Sequence, residues 1–364
     1  MALSERLLLG PGPSNPYPEA QAALARPMLG HLDPEFLALL DETAARLRQV
    51  FRTANELTLP ISGTGSAGME TCFVNLVEPG DTVIVGVNGV FGERMCEVAR
   101  RCGAEVVRVD APWGRAMDPQ RLLDAQRAQP GARLVAVVHA ETSTGVESDV
   151  APLAALQETD TLLLVDTVTS LGGIPVEVDR WGVDACYSGT QKCLGVAPGL
   201  SPVTFSARAA ERLRARREPP QSWYLDLGLI GAYVGAARRY HHTAPISMIF
   251  SLHAGLGALL DEGLEAAWAR HRAVGALLQE RLPKRGFSLL AEEGHRLPQL
   301  TSCRLPDGVD DATTRRALLD RYGIEVGGGL GELAGTAWRI GLMGHTARER
   351  SVLALLAALD ELVG

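Results

Sequence analysis

The stretch "YSGTQKCLGVAPG", residues 187–199, holds Lys192 as its single charge among small and polar neighbours. A lysine kept away from carboxylates and from water loses its proton more readily, and a free amine is a nucleophile and a base. Twenty-six residues earlier, "LLLVDTVTSLGG" ends an apolar run in Asp166. A carboxylate at the C-terminal end of a buried central strand sits where α/β proteins bind ligands. Alone, such an aspartate as readily caps the loop that follows. Neighbouring parallel strands would bring both residues to one edge of a sheet.

A third element lies in "ISGTGSAGME", where Gly63, Gly65 and Gly68 form a G-x-G-x-x-G between a strand and a helix. A dinucleotide fold would end its next strand in an acid that binds the ribose. Here "VGVNGVFG" offers Asn88 instead, which argues against a nicotinamide enzyme. Two readings of the glycines stay open: a tight strand–helix turn, or a phosphate seat at a helix N-terminus. Lysine and aspartate together also have two readings. One is a salt bridge. The other is a site for pyridoxal phosphate, which needs a lysine for a Schiff base, an acid for its ring nitrogen and a cup for its phosphate.

The elements that must position these residues alternate in period. Helical spacing runs through 35–51, 66–77, 92–102, 118–128 and 150–157. Strand-length apolar runs fall at 57–62, 81–87, 104–110, 133–140, 161–166 and 184–189. Near-continuous Val/Leu strands between helices predict an α/β fold with a mostly parallel sheet covered on both faces. After about residue 250 the texture changes. A long helical stretch over 252–282 is followed by strands "LTSCRLP", "IEVGG" and "AWRIGLMG" and helices 311–322 and 347–362, a smaller α+β unit. The expected division is an N-terminal arm (1–16), a large domain (17–255) and a small C-terminal domain (256–364).

Composition narrows the function classes. With 35 basic and 43 acidic residues interspersed along 364, the net charge is −8, and no basic stripe suits a nucleic acid. The run "RLRARRE" reads as the solvated end of a helix. Six cysteines (72, 96, 102, 186, 193 and 303) show no metal-like or disulfide spacing, as expected of reduced thiols in a cytoplasmic protein. No apolar run approaches the roughly 20 residues that span a bilayer, and the start reads as neither signal peptide nor anchor.

Taken in order, "LLLGPGPSNPYPEA", "ISGTGSAGME", "EPGDTVIVGVNGVFGER", "HAETSTGV", "LLLVDTVTSLGGIPVEVDRWGVDACYSGTQKCLG", "YHHTAP" and "WRIGLMG" resemble the class V, fold-type I pyridoxal-phosphate aminotransferases. The likeness is to their alanine/serine–glyoxylate (serine–pyruvate) branch and covers essentially the whole chain. It implies a seven-stranded-type sheet in the large domain. It also implies a ping-pong transaminase that moves the amino group of alanine or serine to glyoxylate or pyruvate. Other fold-type I activities stand as alternatives: aspartate or aminophosphonate transamination, or a lyase or desulfurase. For the last, the "EVGGGLGELAGT" loop lacks the reactive cysteine.

The same resemblance implies residue roles. Lys192 would form the internal aldimine and shuttle a proton, and Asp166 would pair with the ring nitrogen. Val168 would press on a ring face, although by itself it reads as ordinary core. Thr64, Gly65 and Ser66 would cup the phosphate with Gln191. Phe91 would stack on the ring. Thr142 would lie near the phenolic oxygen or else bond its own turn. Tyr240 and Thr243 would reach the phosphate of a neighbouring subunit, making the enzyme a homodimer. Arg339 would take the substrate carboxylate by a bidentate fork, because a buried, unpaired arginine has few structural explanations. The backbone around Ser14 and Asn15 would line the same pocket. His241 and His242 lack a third ligand, so no metal is expected, and Cys193 reads as buried packing.

Overall fold

A computed structural model describes residues 4–235 and 237–363. Residues 1–3 and 364, the outermost parts of the expected arm and C-terminal domain, lie outside it, as does residue 236. The central feature is a seven-stranded sheet. Its order is Leu57–Ser62, Leu200–Phe205, Ala185–Tyr187, Leu162–Asp166, Leu134–Val138, Thr82–Val87, Glu105–Asp110. Six strands run one way, and Leu200–Phe205 runs antiparallel to both its neighbours. Strands Leu134–Val138 and Leu162–Asp166 are buried along their whole length, which is why their sequences carry no polar alternation. Helices cover both faces. Pro34–Phe51, started by the Asp33 side chain on Glu35 N–H, buries Phe36, Leu40, Leu47 and Phe51 in one core cluster. Each such side chain stabilises by about 1.5–3 kcal/mol.

The antiparallel strand "LSPVTF" was not anticipated, because Pro202 argues against a central strand. The structure resolves the conflict locally. Pro202 lies opposite Pro60, and its carbonyl still accepts from Ser188 N–H. The donor that proline lacks is replaced by Ser201 Oγ, which donates to Ser188 O at 2.5 Å. Helix Gly65–Leu76 packs directly over this repair. A Cβ on Gly68 would fall 2.0 Å from Ser201 Oγ, so only glycine fits there.

The expected helical stretch 252–282 is two helices, Ile246–Glu262 and Leu264–Arg281, divided at Gly263 with φ 86°. A second sheet of four antiparallel strands runs Ser288–Leu289, Leu300–Arg304, Ala337–Gly341, Gly327–Gly328. The expected strand "IEVGG" splits. Its Gly327–Gly328 half joins this sheet, while Ile324–Glu325 pairs in parallel with Leu7–Leu8. The segment 150–157 is 3₁₀ rather than α-helix, over Ala151–Glu158. The basic run is not a free solvated end, since Arg212 pairs with Glu78 and Asp81 and Arg216 donates to the carbonyls of Asn75 and Val77.

From Leu7 the arm crosses between the two sheets. Gly341 N–H donates to Leu9 O at 2.8 Å, Ser14 N–H to Gln191 O at 2.9 Å, and Tyr17 N–H to Gly195 O at 2.8 Å. One short segment therefore touches both the Arg339 strand and the Lys192 loop. Among the described residues, no helix is long and apolar enough to cross a membrane.

Candidate active site

The C-terminal ends of the parallel strands share one edge, and the turns leaving them build a cavity of about 120 Å³. Asp166 ends the central strand, with Val138 and Tyr187 beside it in register. Lys192 lies five residues past Tyr187, after the turn that leaves that strand. Both line the cavity, as do Thr64, Gly65 and Ser66 from the start of helix Gly65–Leu76. Phe91, Thr142, Val168 and Gln191 complete the expected set on its walls. A larger cleft of about 780 Å³ follows the outer edge of strand Leu57–Ser62 and holds none of these residues.

Burial dominates the electrostatics. The Lys192 amine drops to about 8, chiefly because its charge is desolvated, with the nearby Arg339 cation pushing the same way. Its Nζ donates to the Pro11 carbonyl. Asp166 rises to about 6, again chiefly through burial; the Glu141 carboxylate adds to the rise. Hydrogen bonds from Tyr187 and Val168 and the Lys192 charge oppose it. Glu141, fully buried, is likewise raised by desolvation. Its Oε1 accepts from Ser143 N–H (3.0 Å) and Ser143 Oγ–H (2.6 Å), and its Oε2 from Phe91 N–H at 3.1 Å. With Ser143 Oγ accepting from Val90 N–H at 3.1 Å, this pair caps helix Val90–Arg101 and holds the backbone of Phe91 at the wall. A side chain on Gly89 would collide with both Ser143 Oγ and Glu141 Cδ.

Arg339 is half-buried in the middle of Ala337–Gly341 and does not line the cavity itself. Its Nε donates to Gly328 O at 2.8 Å. Among the described residues no carboxylate lies within ion-pair distance of it. Burial lowers its pKa, and Glu141 partly offsets that.

Besides Arg339, four more expected residues lie outside the cavity. Ser14 is buried, with its N–H on Gln191 O and its hydroxyl on Lys192 O at 3.0 Å. Asn15 spends its side chain on the arm, accepting from Leu8 N–H and donating to Arg6 O. Tyr240 is exposed and packs its ring on His31, with centroids 5.1 Å apart; Thr243 is exposed too. Neither lines this chain's cavity. His241 and His242 bond each other through their Nδ1 atoms at 2.7 Å, and His242 Nε2 meets Ser62 Oγ at 3.2 Å. Among the described residues no group of three or more His, Cys, Asp or Glu side chains could hold a metal ion. All six cysteines are free and buried.

Sequence reasoning missed Tyr187, Glu141 and Arg94. Tyr187 was findable, since aligning "DACYSG" beside "TLLLVD" puts it next to Asp166. Glu141 gave no signal of its capping role, because besides the local Ser143 its partner Phe91 lies fifty residues away. Arg94, also on the wall, sits over the Phe91 ring at 5.1 Å from its centroid.

The residues present fit pyridoxal phosphate. Gln191 lines the cavity with its side-chain amide making no hydrogen bond among the described residues, and its NH2 end is the one that could donate to a phosphate. Thr64 starts helix Gly65–Leu76 without a side-chain cap bond, leaving the first N–H groups for an anion. A Cβ on Gly65 would press to 2.9 Å from Val168 Cγ2, so glycine keeps the floor open.

A family model described as aminotransferase class-V matches residues 14–343. The alanine–glyoxylate aminotransferase of Callithrix jacchus is 40% identical over 99% of this chain and 88% of its own. The (S)-ureidoglycine–glyoxylate transaminase of Bacillus subtilis is 35% identical over 98% of this chain and 90% of its own. The crystal structure of an alanine–glyoxylate aminotransferase from Nostoc sp. superposes with a TM-score of 0.97 at 48% identity, covering 100% of this chain and 97% of that one.

Proposed function

This chain belongs to the class V aminotransferases, and from that premise we propose that it moves the amino group of alanine or serine to glyoxylate or pyruvate with pyridoxal phosphate. The observation that carries the reading is one cavity lined by a desolvated lysine, a buried carboxylate and an uncapped helix N-terminus. Glyoxylate appears in the names of relatives at 35–40% identity over nearly the whole chain, which supports it as acceptor here.

Bound in this cavity, pyridoxal phosphate supplies an aldehyde carbon and an electron-withdrawing ring. Thr64, Gly65, Ser66 and Gln191 would hold its phosphate, Asp166 its ring nitrogen, and Phe91 and Val168 its ring, with Thr142 near its phenolic oxygen. Lys192 does the proton work. With a pKa of about 8, roughly a quarter of its amine is unprotonated at pH 7.5, so Nζ can both attack a carbonyl carbon and carry a proton from the substrate Cα. Arg339 orients the amino acid and the oxo acid by the carboxylate they share, which lets one pocket serve both half-reactions. The arm reaches Lys192 through the Pro11 carbonyl and the Ser14 hydroxyl, which supports a role for it at the edge of that pocket. A second copy of the chain would add Tyr240 and Thr243 to the phosphate, which suits their exposure in a single chain.

The test is a donor-by-acceptor panel read at the absorption bands of the aldehyde and amine forms of the cofactor. Alanine or serine should convert the first band to the second, and glyoxylate or pyruvate should reverse it. Lys192→Ala should do neither. Protein that takes up no pyridoxal phosphate, or converts only with aspartate, would sink the assignment.

A further inference from the structure

Both oxygens of Asp166 are engaged by the protein itself. Oδ1 accepts from Val168 N–H at 2.8 Å, a local turn bond two residues on. Oδ2 accepts from the Tyr187 phenol at 2.7 Å. Tyr187 comes from the neighbouring strand, lies beside Asp166 in parallel register and is fully buried. A buried phenol needs a partner, and this one gives its proton to the carboxylate.

Resting on the reading of Asp166 as partner of the ring nitrogen, we propose that Tyr187 is a positioning residue that holds Asp166 in one rotamer and as an anion. The groups facing Asp166 sort by sign. Glu141 opposes ionisation and Lys192 favours it. The thiols of Cys72, from helix Gly65–Leu76, and Cys186, from the Tyr187 strand, are held protonated by burial and add no charge. Of the contacts that favour the anion, the Tyr187 bond is the strongest, ahead of Val168 N–H and Lys192. It works against the largest influence on the carboxyl, its own desolvation.

Tyr187→Phe keeps the ring volume and deletes only the donor. A lost hydrogen bond to a buried charge should raise the Asp166 titration by about one pH unit, which weakens pyridoxal phosphate only about twofold at pH 7 but about eightfold at pH 5.5, where the wild-type carboxyl is still partly ionised. Two measurements on the full-length chain test this. One is the pH titration of the Asp166 carboxyl by carbon NMR in cofactor-free protein. The other is the dissociation constant of pyridoxal phosphate from pH 5.5 to 8.5. The binding measurement is repeated in an Asp166→Asn background. Tyr187 acting through Asp166 predicts a weaker, alkaline-shifted binding curve for Tyr187→Phe alone and no further loss in the double variant. An unchanged titration, or the same loss at pH 5.5 with Asn at 166, overturns the proposal, since a merely structural tyrosine would act in either background. Wild-type protein that binds no pyridoxal phosphate overturns the cofactor reading itself, and this proposal with it.

Discussion

Replacing Asp166 by Asn should stabilise the cofactor-free protein while crippling the enzyme, and the gain should depend on pH in a calculable way. Asp166 is 3% exposed and titrates at about 6 against an ordinary value of 3.8. A carboxyl whose folded pKa is raised binds its proton more tightly in the folded state. Its contribution to stability is therefore complete below the unfolded value and is lost as pH rises through the folded one. The gap corresponds to roughly 3 kcal/mol once both states are ionised, and to only about 0.5 kcal/mol at pH 4. Asparagine carries no such liability and keeps an acceptor for Val168 N–H. Urea unfolding of both proteins without cofactor, from pH 4 to pH 8, should show Asp166→Asn gaining about 2–3 kcal/mol on wild type between pH 4 and pH 7. The same variant should lose transamination. A stability difference that is flat with pH, or that favours the wild type at pH 7, would refute the view that this aspartate is held ionised at the fold's expense.

Arg339→Lys replaces a planar fork by a point charge, so kcat/KM should fall about 10- to 100-fold for every donor and acceptor alike; a loss confined to one substrate would point to side-chain recognition. If Tyr240 and Thr243 serve a neighbouring subunit, Lys192→Ala and the Tyr240→Ala/Thr243→Ala double variant, each inactive, should recover about a quarter of wild-type activity when dissociated and remixed in equal amounts. No recovery would assign both residues to their own chain. Gly68→Ala should cost about 1–3 kcal/mol, because its methyl would displace Ser201 Oγ from the Ser188 carbonyl. Thermal unfolding reads that loss, and an unchanged midpoint would dismiss the repair role given to Ser201.

What the sequence revealed depended on whether a signal was local. Asp166 and Lys192 were legible because an acid ending an apolar run and a lysine among small residues are anomalies within a few positions. The cavity walls at 64–66, 91, 142 and 191 followed from the family likeness. The Leu200–Phe205 strand was hidden by Pro202, whose missing N–H is made good by a side chain that no propensity rule anticipates. Glu141 looked like one more acid in a turn. Its job as a helix cap exists only once Phe91 is brought against it. The break at Gly263 lay inside an unbroken helical pattern and shows only through its positive φ. Short-range anomalies mark chemistry; the groups that tune that chemistry are assembled by tertiary contact.

The N-terminal arm also sets an order of events. Leu7 pairs with Ile324, a separation of 317 residues (324 − 7). At synthesis rates of about 5–20 residues per second, the arm waits roughly 15–60 s for its partner strand to be made. The large sheet and its lysine loop, with the Pro11 and Ser14 contacts of Lys192, can form in that interval, but Leu7–Leu8 remains an unpaired strand until Ile324–Glu325 is made. The pairing of Leu7 with Ile324 is thus among the highest-contact-order contacts the fold makes. Until then Leu7 and Leu8 offer an unpaired strand edge, the kind of edge that pairs wrongly most easily.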